Sequence, residues 1–590
     1  MCGIVGYKGN KDARNIIYGG LQSLEYRGYD SWGIAMLGNP SISVSKQVGS
    51  IGNADALGSL SSGTVGIGHT RWATHGAVTV KNSHPHVSSD GHVAVVHNGI
   101  IENYQQLRSG LEDKGYMFNS ETDTEVIPIL IEDFLNEDYS FEDSFRKALS
   151  LLEGTYAIIA IYDGEESEKM ICARKDSPMI IGVGDEEYFV ASDAPAFLPY
   201  TNNVVFLDNM EMVVFNDHMK VLSVDNGYPI QKKVQTIDWN VEQAKKGDFK
   251  YYMLKEISEQ RETISKAIQQ EDAVLQGIAD AIDNSFGTFF VASGSSYHAA
   301  LSASYLFSKI AKKHINVVES SEFPNYEHFL TPETLMVAVS QSGETADLLD
   351  AVKVAKEKDV KILSLVNVMG SSLMRNSDHT LMTNAGPEIC VLSTKSYTSQ
   401  LSVLSLLAYA CAGKLDEGKE LLKDVADHVG DLTDAKTLLE IVEIASLLKD
   451  KEHMYLLGRG QSYPTAIEGA LKIKEVSYIH AEGFAGGSLK HGPIALIEEG
   501  TPCIVFAPED ETREAILSNA MEVKSRGADV IGISDKNNEI FDHFIKVPEV
   551  GNASPICSII PIQVLSYYLA IMRGCNPDKP RNLAKSVTVK

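Results

Sequence analysis

The sequence predicts two architectures in one chain: stacked antiparallel sheets up to Val234, then two successive α/β domains with parallel sheets. Three observations predict it. Short apolar runs separated by Asn-Gly and Asp-Gly turns crowd the first part. That pattern stops after Val234, where the polar stretch 239–247 leads into a helical segment that continues to Ile268. Beyond it, apolar strands alternate with amphipathic helices in an order that occurs twice, Gly294 matching Gly460 at an offset of 166 residues (460 − 294).

Taken in order, residues 3–7, 32–37, 66–69, 92–97, 155–162 and 212–215 read as strands. Residues 12–25, 104–114 and 125–136 read as helices between them. In the second part, Phe289-Phe-Val-Ala-Ser-Gly-Ser-Ser-Tyr297 is echoed by Met454-Tyr-Leu-Leu-Gly-Arg-Gly-Gln-Ser-Tyr463. A strand at 334–340, a helix to Lys358 and a strand at 361–366 recur as 501–507, 511–526 and 529–534.

A chain of 590 residues exceeds one core, and roughly two to four domains are expected. With 44% apolar and 22% charged residues the composition is that of a globular protein. No run reaches the ~18 apolar residues of a membrane span. The nearest, 556–572, is interrupted by Ser558, Pro561, Gln563 and Ser566 and reads as a buried helix. Seven cysteines without a CxxC pair argue against a disulfide framework and a zinc ribbon, and for a reducing cytoplasm. A net charge of −27 opposes nucleic-acid binding. Any anionic substrate must then be held by local features.

Five polar islands in the first part carry chemistry. Cys2, followed by Gly-Ile-Val-Gly, becomes the terminal residue once Met1 is removed, which places a thiol beside a free α-amine able to act as its base. The others are residues 24–31, 68–76, 97–103 and 120–125. In order, these islands resemble the class-II glutamine amidotransferases, where attack on the glutamine carboxamide creates an oxyanion; the Asn98 side chain with the Gly99 N–H would suit it. Arg71 can grip an α-carboxylate in a bidentate fork, and Asp123 can pair with an α-ammonium. Trp72, Thr74 and His75 are further contacts. Alternatives stand beside these readings: Asn98-Gly99 is also a hairpin-turn dipeptide, Asp123 could cap the following helix, and Trp72 could be core. Histidines 69, 75, 84, 86, 92 and 97 crowd the same stretch; only His84-x-His86 has chelate spacing, and no metal is expected. The resemblance to that class implies an N-terminal-nucleophile α+β glutaminase fold. Trp32 departs from the small residue common there.

In the first repeat, Ser340-Gln341-Ser342-Gly-Glu-Thr345 joins strand to helix, and its hydroxyls with free helix N–H groups make an anion site. The alternative is that the serines are only N-caps. Ser295 and Ser296 add donors, and the resemblance of these repeats to sugar isomerase domains implies that Ser393 lies near a bound sugar. The matching 507–512 is acidic and should repel phosphate, so one phosphate site per chain is expected. Glu468, Lys472 and Glu475 fall on one helix face; an exposed Glu→Lys pair worth ~0.2–0.5 kcal/mol is the alternative. The two repeats resemble tandem sugar isomerase (SIS) domains, although Ser293 replaces the Cys common there.

Residues 478–482, 489–493 and 580–590 extend the resemblance to the glucosamine-6-phosphate synthase family over essentially the whole chain. It implies a glutaminase domain at 2–228, a connection at 229–276, SIS domains at 277–416 and 440–580, and a tail at 581–590 that closes the sugar site. It also implies an isomerising transaminase for L-glutamine and D-fructose 6-phosphate, the first step of amino-sugar synthesis, needing no cofactor or metal. Lys585 is then the Schiff-base lysine, and Glu475 moves a proton between C1 and C2 with Lys472 assisting. Glu468 joins the sugar-binding set, and His491 opens the ring, reaching in from a partner in a homodimer. Still open are a paralogue aminating another sugar phosphate or cyclitol, and a phosphosugar sensor without catalysis.

Overall fold

The computed structural model describes residues 2–38, 41–52, 54–73, 76–164, 169–216, 218–237 and 245–588. The chain divides into two compact units: residues up to Lys245 with the tail from Ala584, and Lys246–Leu583.

Among the described residues the first unit holds two antiparallel sheets. One runs in the order Gln235–Thr236, Asn203–Phe206, Ile180–Val183, Tyr188–Ala191, Gly3–Lys8, Val65–Arg71, Ser31–Leu37, Ile42–Val48. The other runs Met219–Ser223, Glu211–Phe215, Met170–Lys175, Gly154–Tyr162, Val93–Ile101, His86–Val87. Alternation along each strand sends one set of side chains between the sheets. Ile4, Ile67 and Ile181 of the first sheet share a core with Val96, Ile159 and Val213 of the second. The opposite face of the second sheet is covered by helices Val126–Leu135 and Phe141–Ser150, whose Ile127, Ile131, Phe141 and Phe145 are fully buried. The terminal strand lies mid-sheet, pairing Gly3 with Thr70 and Val5 with Ala191, and this fixes where Cys2 emerges.

The second unit contains two five-stranded, wholly parallel sheets. In the first, Ile315–Glu319, Gly287–Ala292, Thr334–Ser340, Lys361–Val366 and His379–Met382 lie side by side. In the second the corresponding run is His480–Ala485, His453–Gly458, Pro502–Phe506, Asp529–Ser534 and His543–Lys546. Both have order 2-1-3-4-5, so each has a switch point between its first and third strands, where α/β sheets bind ligands. Helix Lys395–Cys411 is buried along almost its whole length and lacks an apolar stripe. Some of its polar groups are partnered inside the unit, as where Thr398 Oγ1 donates to Gln260 Oε1 at 2.8 Å, whereas the hydroxyls of Tyr397 and Ser399 and the Gln400 amide have no hydrogen-bond partner among the described residues. The expected helix from 247 to 268 is two, Tyr252–Ser258 and Gln260–Ala267, meeting at Glu259. The segment Gly551–Met572 is long and apolar enough to cross a membrane by length and composition, and 83% of its apolar 18-residue window is buried inside this unit.

Candidate functional sites

The Cys2 thiol is half-buried and sits against Trp72, accepting from its N–H at 3.2 Å and donating to its carbonyl at 3.5 Å. Burial pushes the thiol pKa up; the positive chain terminus, the Trp72 N–H and Arg71 pull the other way. Asn98 Nδ2 donates to the Cys2 carbonyl at 2.8 Å and to Ser192 Oγ at 3.0 Å, while Ser192 accepts from the Ile4 N–H at 2.8 Å. Asn98 and Gly99 lie inside strand Val93–Ile101, so the hairpin-turn alternative fails. Gly99 has φ +132°, and a Cβ there would stand 2.0 Å from the Thr155 carbonyl oxygen. Only glycine fits.

Arg71 ends strand Val65–Arg71, is 3% exposed, and donates to the carbonyls of Gly76 and Ala77 at 3.1 and 3.2 Å. Asp123 accepts from the Ile101 N–H at 2.8 Å and makes no cap to helix Val126–Leu135, so the capping alternative fails too. Asp30, in the island at 24–31 but given no role there, accepts from the Ala73 N–H at 2.9 Å. Thr74 and His75 lie outside the described residues. Trp72 is half-buried, its ring 6.5 Å from that of Tyr29; Trp32 is buried, its ring edge-on to Tyr18.

Behind this pocket His69, His84, His86 and His97 are buried. His69 stacks on His84 at 4.0 Å, and His97 Nδ1 and His86 Nε2 meet the hydroxyls of Thr124 and Thr122 at 2.9 and 3.0 Å. Burial holds all four below the usual imidazole range, His69 at about 3, so they are neutral near pH 7. Among the described residues no His/Cys/Asp/Glu group is arranged to hold a metal ion.

In the second unit, the strand-to-helix loop of the first repeat bonds to itself. Ser340 Oγ accepts from the Gly343 N–H at 2.9 Å and lies 3.4 Å from Thr345 Oγ1, and Ser342 Oγ accepts from the Glu344 N–H at 3.2 Å. The N-cap of helix Ala346–Glu357 is Thr345, which makes no side-chain capping bond, so the serines are not its caps. Gly343 has φ +66°, and a Cβ there would lie 2.3 Å from Ser371 Oγ. The loop closes with Gln341 accepting from the Asn367 N–H at 3.1 Å. In the second repeat the matching loop is filled by its own acid, since Asp510 Oδ1 accepts from both the N–H and the hydroxyl of Thr512.

The trio on helix Ser462–Ser477 is not an exposed pair. Lys472 and Glu468 side chains are 0% exposed. Lys472 Nζ lies 3.3 Å from Glu468 and 2.8 Å from Glu475, and it donates to Ser295 Oγ at 3.0 Å and the Ser393 carbonyl at 3.3 Å. His298 Nδ1, which the sequence reading missed, donates to Glu468 Oε2 at 2.7 Å. Burial opposes charge on both partners, and their mutual attraction outweighs it. Glu468 is lowered and Lys472 raised. Ser296 is buried one residue on from Ser295. Ser295, Ser393, Glu468, Lys472 and Glu475 thus converge, whereas His491 stands apart. It is exposed and lines a cleft of about 440 Å³ with Tyr305, Arg459, Tyr463 and Ser488. Lys585 is half-buried and is grouped with the first unit.

Sheets, Cys2 pocket and paired switch points together define a glutamine amidotransferase joined to tandem sugar isomerase domains. A glutamine amidotransferase domain model matches residues 42–238, and a SIS domain model matches 286–410 and 447–573. The chain belongs to the glutamine–fructose-6-phosphate aminotransferase (isomerising) family. It is 45% identical to the Thermococcus kodakarensis member and 42% identical to that of Clostridium perfringens, each match covering all of both chains. The solved C-terminal domain of glucosamine-fructose-6-phosphate aminotransferase from Francisella tularensis is 36% identical with a TM-score of 0.53, covering 57% of this chain and 99% of that one.

Proposed function

We propose that this chain converts D-fructose 6-phosphate and L-glutamine to D-glucosamine 6-phosphate and L-glutamate. One observation carries the reading: a thiol pocket at Cys2–Asn98 and a buried Glu468–Lys472–Glu475 cluster occur in separate units of one polypeptide. Residues 2–228 are the glutaminase, 277–416 and 440–580 the isomerase, and 581–590 the tail over the sugar. The enzyme acts in the cytoplasm as a homodimer and uses no metal or cofactor.

Once Met1 is removed, the Cys2 α-amine takes the thiol proton and sulfur attacks the glutamine carboxamide. Asn98 and the Gly99 N–H hold the oxyanion, Arg71 the α-carboxylate and Asp123 the α-ammonium; Trp72, Thr74 and His75 complete the pocket. Collapse expels ammonia and leaves a thioester, which water hydrolyses to glutamate. Ammonia passes internally, because in water it would be protonated and lose its nucleophilic lone pair.

Ser340, Gln341, Ser342 and Thr345 bind the phosphate at a helix N-terminus, and Ser295, Ser296, Ser393 and Glu468 bind or orient the sugar. The partner's His491 opens the ring. Lys585 condenses with the C2 carbonyl, releasing water, and ammonia then displaces it to leave a C2 imine. Glu475 takes the C1 proton and returns it to C2, while the C1 hydroxyl proton passes to the C2 imine nitrogen, which yields the aldehyde and the C2 amine; Lys472 steadies the charge.

Cys2→Ala tests the scheme. Glutamine hydrolysis and glutamine-dependent amination should vanish, while fructose 6-phosphate isomerisation continues at the wild-type rate. Joint loss of both activities would contradict two separable sites.

A further inference from the structure

Two helices, one from each repeat, meet at the buried acid–base cluster. Helix Gly294–Leu306 of the first carries Ser295 and His298 one turn apart, and helix Ser462–Ser477 of the second carries Glu468 and Lys472 one turn apart. They pair in reverse order: Lys472 Nζ donates to Ser295 Oγ at 3.0 Å, and His298 Nδ1 donates to Glu468 Oε2 at 2.7 Å. The proposed scheme uses three of these residues and leaves His298 without a task. Its side chain is buried, faces half-buried Glu319 as well, and hydrogen-bonds only to Glu468 among the described residues.

The Lys472 ammonium has three N–H groups and four oxygen neighbours. These are Glu475 at 2.8 Å, Ser295 Oγ at 3.0 Å, and the Ser393 carbonyl and Glu468 at 3.3 Å. Two carboxylates thus compete for one cation, and Glu475 holds the shorter contact. Glu468 has the stronger need, because its side chain is 0% exposed and a buried charge must be paired. Lys472, His298 and Ser295 all hold that charge, and the imidazole approaches it more closely than the ammonium does, 2.7 against 3.3 Å. Without the imidazole, Glu468 would close on Lys472 and draw it from Glu475.

We propose that His298 is a positioning residue: by holding Glu468 Oε2 it leaves the Lys472 ammonium on Glu475, where the proton moves. The inference rests on the reading of Glu475 as the group that carries the proton between C1 and C2.

Isomerisation of fructose 6-phosphate by the full-length protein tests it, with rates expressed per site that binds D-glucitol 6-phosphate, which has no carbonyl and cannot isomerise. His298→Leu should lower kcat roughly ten-fold or more while KM and the affinity for D-glucitol 6-phosphate stay at wild-type values. His298→Asn, whose amide nitrogen can stand where the imidazole Nδ1 stands, should recover most of the rate. A wild-type kcat in His298→Leu, a weakened or lost affinity for D-glucitol 6-phosphate in that variant, or a His298→Asn enzyme as slow as His298→Leu would overturn the positioning role. Glu475→Gln should abolish isomerisation; if it isomerises at the full rate, the reading of Glu475 fails instead.

Discussion

The Cys2 pocket depends on atoms that tolerate no addition. At Gly99 a methyl would meet the Thr155 carbonyl oxygen at 2.0 Å, in a backbone conformation alien to L-residues. Gly99→Ala should therefore cut glutamine hydrolysis by about 100-fold or more through loss of an oxyanion donor, while isomerisation of fructose 6-phosphate is untouched; a full hydrolysis rate would remove Gly99 from the oxyanion site. The buried histidines behind it predict acid sensitivity. His69 is held at about 3 by burial, so the unfolded chain binds its proton first as pH falls below ~6.5. Its stabilisation is complete above that value and shrinks toward pH 3, by about 2 kcal/mol at pH 5. His84, His86 and His97 act in the same direction. All three tryptophans, Trp32, Trp72 and Trp239, precede Lys246, so urea unfolding followed by tryptophan fluorescence reads the first part of the chain. Its midpoint should fall clearly from pH 7 to pH 5, and an unchanged midpoint would refute the neutral cluster.

In the proposed scheme helix Ser462–Ser477 carries the isomerase chemistry, since it holds Glu468, Lys472 and Glu475 at fixed spacing. The strand beside it approaches so closely that a Cβ on Gly483 would lie 2.6 Å from the Ile467 backbone. Gly483→Ala must push the helix, and displacements of a fraction of an ångström are costly to a proton-transfer geometry. The expected result is a fall of roughly ten-fold in fructose 6-phosphate isomerisation with glutamine hydrolysis intact; equal effects on the two activities would contradict it. At this scale the sequence was legible where periodicity was strong. The parallel strands 334–340, 361–366 and 529–534 stood at their expected positions because they are short, predominantly apolar runs between helical segments. Helix Lys395–Cys411 gave no amphipathic signal, since it is buried on every side with its Ser, Thr and Gln residues inside, of which Thr398 meets a partner as distant in sequence as Gln260. The helix Phe141–Ser150, short and preceded only by a Ser140 cap, also went unread.

At the scale of the whole molecule the chain divides its chemistry between two compact units. If His491 serves the partner's sugar site, two inactive variants should rescue each other. Mixing His491→Asn with Glu475→Gln under conditions that exchange subunits should restore about a quarter of the wild-type rate, since half the dimers are mixed and each has one complete site. No recovery would place His491 in its own subunit's site. The sequence by itself determined the order of the modules, the place of Cys2 ahead of the first strand, the Ser/Thr-rich strand-to-helix loop at 340–345 and the spacing of Glu468, Lys472 and Glu475, because these are local patterns or repeats. Only the tertiary structure decided that Lys472 is a buried, fully paired cation, that Ser192 and His298 bond to Asn98 and Glu468, and that His491 lines a cleft apart from that cluster. Those properties belong to contacts between residues far apart in the chain, and burial is what turns such contacts into chemistry.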